Sequence, residues 1–235
     1  NGYYRTYAGG PTNGHATVQL RKKINPIPMY AKQARFDLPS GDGTYAYDLF
    51  LGDLVHPHGV GLSTDLLFHV STTATNWRDR TIYRLHGDIS FPNPGDGIQA
   101  FFVPNRVLPQ SDYKLPFSAP ETGYYPSLSR ANGDTEKFYR EFGYHHAGET
   151  TLPDIWFWTS DWNFRDKARS WMEEANYFIK VRSTTESEAC YGFVRGIIRF
   201  GYRGDDIPNI EINYFVNPDH TTNIEYDPSR NLVTE

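Results

Sequence analysis

A chain of 235 residues can hide about 70–75% of the surface it would expose unfolded, so one substantial core forms without staples; the single cysteine, Cys190, excludes an internal disulfide framework and a zinc cluster of several thiolates. The net charge of −5 is spread along the sequence, which excludes a general basic coat for nucleic acid, and the one local basic run, Arg21-Lys22-Lys23, reads as a solvated edge. No run approaches the roughly 18 apolar residues of a membrane span and no charged-then-apolar leader opens the chain, so the abrupt start "NGYYRTYAGGPTNG" is expected to belong to a processed product.

Residues 1–15, rich in Gly, Tyr and small polar residues, read as an extended arm that takes its order from neighbours. "HATVQLRKKI" alternates, with Ala16, Val18 and Leu20 on one face of a first strand, and the prolines of "NPIPMY" are expected to end it. After a turn at "PSGDG", "TYAYDLFLGDLV" predicts one strand from Tyr45 to Val55. Ser63 is placed to cap a short helix carrying Leu66, Leu67 and Val70, with Thr-rich extended chain beyond. "RTIYRLHGDISF" predicts a strand bounded by "PNPGDG", with "IQAFFVPN" as its hairpin partner.

From Pro104 to Gly148 prolines and glycines recur at short intervals, which predicts surface insertions with a function of their own. "DIWFWTSDW" reads as an aromatic strand, and "NFRDKARSWMEEA" as a helix with Phe164, Ala168, Trp171 and Ala175 along one stripe. "NYFIKVR", "CYGFVRGIIRFGY" and "NIEINYFVN" return to strand, the last with Ile210, Ile212, Tyr214 and Val216 on one face. An aromatic share of 16%, together with 20 Gly and 16 Pro, suits pleated surfaces and long turns. With no βα rhythm, the pattern predicts an all-β fold: an eight-stranded antiparallel jelly-roll β-sandwich with long loops and one or two short helices, the arm at 1–15 and a single domain over 16–235.

The common local enzyme signatures are missing: no nucleophile elbow, phosphate loop, dinucleotide fingerprint or paired-histidine zinc helix occurs. Paired carboxylates drawn from distant strands would leave no local pattern among the 28 acidic residues. His56 and His58 share a side of an extended segment but lack a third ligand, and His145-His146 point apart, so both pairs read as solvated; no metal or cofactor is expected. Trp156, Trp158 and Trp162 fill a core or an interface, or stack on sugar rings. The stretch "FGYRGDDIPNIEINYFVNP", Phe200 to Pro218, carries three meanings: an adhesion tripeptide at Arg203, Gly204 and Asp205, an acid/base pair at Asp205 and Asp206, or a polar corner between two strands. Gly and Asp are what a tight reversal requires, which favours the corner.

That stretch also resembles the closing corner of the major capsid proteins of picorna-like viruses, the dicistrovirus-like and iflavirus-like group, in which Gly-Asp-Asp-Phe precedes the last jelly-roll strand. Gly204, Asp205 and Asp206 match, and Ile207 stands where Phe is usual. "TIYRLHGDISF", "IQAFFVPNRVLP" and "LPFSAPETGYYP" are similar, in order, to two strands, a hairpin end and the entry to a next strand in the same proteins; together the segments span about a third of the chain. The resemblance implies a structural, non-enzymatic capsid subunit of a small non-enveloped positive-strand RNA virus, released from a polyprotein and assembled into an icosahedral virion in the host cytoplasm. Its partners would be copies of itself, other major capsid proteins, a small internal capsid peptide, genomic RNA on the inner face and a host receptor. Asp205 and Asp206 would sit where the family places a motif associated with maturation cleavage, sharing a proton between adjacent carboxylates. Two other classes remain open: a carbohydrate-binding or glycan-processing β-sandwich, and an adhesion module.

Overall fold

The computed structural model describes residues 3–4, 21–77, 80–102, 115–132, 151–156, 175–184, 188–196, 198–203 and 207–233. The expected strand face of Ala16, Val18 and Leu20, most of the Pro104 to Gly148 insertions, the helix carrying Phe164, Ala168 and Trp171, Trp158, Trp162, His145, His146, Gly204, Asp205 and Asp206 lie outside these residues.

Among the described residues every regular element is a strand. In chain order they are β1 (Tyr3–Tyr4), β2 (Arg21–Lys22), β3 (Ile27–Asp37), β4 (Gly43–Asp48), β5 (Asp53–Leu54), β6 (Leu66–Trp77), β7 (Arg80–Ser90), β8 (Gly97–Phe102), β9 (Ser127–Asn132), β10 (Thr151–Trp156), β11 (Ala175–Val181), β12 (Cys190–Val194), β13 (Arg199–Arg203), β14 (Ile207–Asn217) and β15 (Tyr226–Asn231). One sheet has the order β10-β9-β7-β6-β4-β5; the other runs β15-β3-β14-β12-β11-β8, with β13 also paired to β14. The short pair β1-β2 stands apart. In the first sheet β4, β6, β7 and β9 are neighbours in chain order, whereas the second pairs early β3 with late β14 through eight register positions, Asn209↔Asp37 to Val216↔Tyr30.

The two large sheets share one core. Tyr45, Tyr47, Leu66, Phe68, Leu85 and Ile89 from the first meet Ala34, Ile179, Ile210, Ile212, Tyr214 and Val216 from the second. Each fully buried side chain of the size of Phe68 or Ile212 contributes about 1.5–3 kcal/mol by leaving water. The face predicted for Ile210, Ile212, Tyr214 and Val216 is the one that enters this core. On the opposite face of the second sheet, Met29, Ala31, Tyr191, Phe193 and Phe215 form a smaller cluster with Ala119 and Ile224. Beyond that cluster the same face turns polar at Gln33, Arg35, Glu211 and Asn213, which is where the groove described below opens.

Several expected elements differ. Pro28 does not end a strand: it is the second residue of β3, and pairing to β14 starts only at Tyr30, so its missing N–H leaves no gap in that ladder. The strand foreseen from Tyr45 to Val55 is a hairpin, because Asp48 Oδ1 accepts from the N–H groups of Phe50 (2.9 Å) and Leu51 (3.1 Å), and Gly52, at φ +68°, turns the chain back. No helix follows Ser63. Leu66, Phe68 and Val70 are buried with a period of two, and β4 and β7 satisfy the backbone on both sides, so tertiary pairing overrides the local helix signal. β8 is not the hairpin partner of β7 but crosses to the other sheet and pairs with β11, Ile98 opposite Ile179. "CYGFVRGIIRFGY" is split into β12 and β13, which together with the very short β1, β2 and β5 and the unforeseen β15 brings the described strands to fifteen rather than about eight.

Candidate interaction sites

The corner singled out in the sequence joins β13 to β14. Arg203 faces Ile207 and Arg199 faces Glu211 in antiparallel register, so the strands close toward the three residues between them. The Arg203 guanidinium is exposed and forms an ion pair with Asp37 on β3. Of the tripeptide Arg203, Gly204, Asp205 only this arginine is described, and its charge is already engaged by a neighbouring strand.

At one end of the sandwich the loops bring three aspartates onto one arginine. Arg182, at φ +59°, follows β11; Asp48 closes β4, while Asp65 and Asp96 precede β6 and β8. Arg182 Nε donates to Asp65 Oδ1 at 2.7 Å and Nη2 to Asp65 Oδ2 at 2.9 Å, and Nη2 also reaches Asp48 Oδ1 at 3.1 Å. The guanidinium lies 3.5 Å from the centroid of the Phe50 ring, a cation–π contact. Asp96 accepts the N–H groups of Arg182 (2.9 Å) and Ser183 (2.7 Å).

Burial pushes the Asp48 carboxyl upward, but the N–H groups of Leu51, Leu62, Ser63 and Phe50 outweigh it and hold the pKa below the usual carboxylate value. Burial dominates at Asp65 and leaves it raised against the pull of the Arg182 fork. Burial disfavours the charge on Arg182, yet Asp65 and Asp48 overcome that and keep the guanidinium firmly protonated. Every oxygen of Asp48 and Asp65 already accepts a hydrogen bond, so the cluster is a latch between loops of the two sheets rather than an acid/base pair.

A second arrangement came unannounced by the sequence. Ser90 Oγ shares a 2.7 Å hydrogen bond with His69 Nε2, and His69 Nδ1 shares one of 2.9 Å with Thr44 Oγ1, a chain across β7, β6 and β4. A hydroxyl–imidazole pair is half of a nucleophile system, but here the orienting group is another hydroxyl, which does not stabilise an imidazolium as a carboxylate would. Only strand register brings these residues together, Thr44 opposite His69 and His69 opposite Asp88, so no local motif could have disclosed them.

Cys190 Sγ lies 3.7 Å from His220 Nδ1, but burial, only partly offset by Arg182, pushes the thiol up to about 11, so it stays protonated at neutral pH and is no nucleophile. His58 packs its ring against Tyr45 with centroids 5.1 Å apart. Among the described residues no group of three or more His, Cys, Asp or Glu is arranged to hold a metal ion.

The polar end of the second sheet's outer face carries a groove of about 390 Å³, lined by Gln33 and Arg35 of β3, Glu211 and Asn213 of β14, and Arg195, Gly196 and Arg199 from the break between β12 and β13. Arg35 Nη1 lies 3.3 Å from Glu211 Oε1 and Arg199 Nη1 3.5 Å from Glu211 Oε2, so one carboxylate serves two guanidinium groups. Arg195 is steadied over the Phe215 ring, 5.1 Å from its centroid. Comparison with protein-family models, with curated proteins and with solved structures finds no match to this chain.

Proposed function

We propose that the chain is a non-catalytic contact protein: a jelly-roll subunit of the shell of a small non-enveloped positive-strand RNA virus, which assembles with copies of itself and with other jelly-roll subunits. The observation that carries this reading is the place of the Phe200 to Pro218 stretch. Its described residues form the antiparallel strands β13 and β14, and the long β14 lies beside β3 in the middle of a sheet, the return of a late strand to an early one that Greek-key and jelly-roll topologies are built on. The all-β architecture and the engagement of Asp48, Asp65, Asp96 and Arg182 in a structural latch agree with a molecule that acts through contact. Leu51, Val60 and Leu62, on the segment around β5, are 45%, 73% and 86% exposed, and a neighbouring subunit would take them out of water.

On this reading Asp205 and Asp206 assist maturation cleavage of a neighbouring precursor. Co-expression of the chain with its partner subunits, followed by sedimentation and electron microscopy, tests the assembly. Closed shells are expected. Asp205→Asn and Asp206→Asn shells should form but retain uncleaved precursor on denaturing gels; full cleavage in the double variant removes the maturation role and leaves the structural one standing.

A further inference from the structure

We propose that the arginine-lined groove on the outer face of the second sheet is a binding site for a carboxylate-bearing glycan. The site rests on strand register. Arg35, Glu211 and Arg199 lie opposite one another on β3, β14 and β13, and Gln33 faces Asn213 in the next outward-pointing pair. Arg195 extends that second row, its backbone N–H donating to Asn213 O at 2.7 Å. At Gly196, with φ +71°, no atom of the described residues beyond its chain neighbours lies within 4 Å of where a Cβ would stand, so the groove is open on that side. Asn176 Oδ1 accepts the Gly196 N–H at 3.0 Å and fixes the break in place.

Charge decides the class of ligand. In a chain of net charge −5, Arg35 and Arg199 here share one glutamate, a local excess of positive charge among the described residues that draws anions. Each guanidinium presents five N–H donors in a planar fork, and a single shared carboxylate at 3.3 and 3.5 Å leaves most of those on Arg35 and Arg199 for a ligand oxyanion. Side-chain exposures of 51% and 60% put both within reach. The rest of the grid is not that of a phosphate track: Glu211 sits at its centre and would repel a repeating polyanion, while it accepts from sugar hydroxyls, and the Gln33 and Asn213 amides both donate and accept. A ligand with many hydroxyls and an occasional carboxylate matches every group, whereas the phosphate backbone of single-stranded RNA matches only the arginines. The volume falls in the range of small-ligand sites. This site stands independently of the shell reading.

The test uses the full chain on an array of neutral, sulfated and carboxylated glycans, followed by calorimetric titration with a trisaccharide carrying a single terminal glucuronic acid, its methyl ester and a single-stranded RNA oligomer. Retention of carboxylated glycans is expected, with binding weakened about tenfold by methyl esterification and by Arg35→Gln or Arg199→Gln, the loss of one charge-assisted contact. Glu211→Gln should narrow the preference for glycan over RNA. These side chains are at least one-third exposed, and an unchanged near-UV spectrum confirms that each variant is folded. Failure to retain any carboxylated glycan, wild-type affinity in the folded Arg35→Gln/Arg199→Gln double variant, or tighter binding of RNA than of glycan by the wild type each overturns the proposal.

Discussion

Arg182 grips Asp65 with two parallel hydrogen bonds, 2.7 and 2.9 Å long, and so ties the end of a strand in one sheet to the start of a strand in the other. Asp65 is fully buried. Removing the arginine strands a buried carboxylate, whereas removing both partners in favour of apolar groups leaves only the Leu49 N–H without its acceptor. Arg182→Ala should cost about 3–5 kcal/mol in urea unfolding, and Arg182→Met/Asp65→Leu clearly less. Equal losses in the two variants would contradict a latch.

Acid should loosen the fold in a defined window. Asp227 is held at about 2 by the Ser229 hydroxyl and Arg230, and Asp48 also titrates below its ordinary value. Both pKa values are lower folded than unfolded, so the unfolded chain binds more protons as pH falls, and the stabilisation present above about pH 4 is lost on the way to about pH 2. Asp65, raised by burial, has the opposite sign and acts above this window, where protonation favours the folded chain. The melting temperature should fall between pH 4 and 2 less steeply in Asp227→Asn than in the wild type; parallel curves would show that the pair contributes nothing.

Cys190 reports on global opening. With the thiol raised to about 11 by burial, the native protein should react with a thiol reagent at neutral pH only as fast as it unfolds, and at the full rate in urea. Because the folded pKa lies above the unfolded one, the stability this group supports is intact below about pH 9 and declines as pH rises through about 11. Rapid labelling of the native chain would place the thiol at the surface and undo this description of the core.

Close approach of the sheets makes Gly87 a sensitive position. A Cβ there would stand 2.1 Å from Phe200 Cε1 and 2.2 Å from Cδ1, an overlap that only movement of the ring can relieve. Gly87→Ala should therefore cost about 1–3 kcal/mol, and Phe200→Leu in the same chain should recover part of it. At Gly192 the obstacle is the Phe215 carbonyl oxygen, 2.2 Å away, which is backbone and yields less; Gly192→Ala should be the more damaging, and the reverse order would contradict the packing.

Strand faces were legible where periodicity and burial agree, as at Ile210, Ile212, Tyr214 and Val216, because a period of two survives any choice of partner. Partner identity was not. β8 follows β7 closely yet joins β11 in the other sheet, a decision taken by the Asn93 to Asp96 turn and by core packing rather than by its own residues. The Leu66 to Val70 segment carried a plausible cap at Ser63, but its hydrophobic residues meet a sheet, and the Ser63 N–H is drawn instead to Asp48 Oδ2 at 3.0 Å. The Arg182 latch, the Ser90-His69-Thr44 chain and the Arg35-Glu211-Arg199 row all depend on register between strands distant in sequence, for which no local pattern exists.

Whether this sandwich works by meeting other subunits is most directly decided by imaging material purified after co-expression with its partner chains. The account predicts closed shells of uniform diameter that contain this chain at a fixed ratio to its partners. A monodisperse monomer that remains apart from every partner under the same conditions would contradict it.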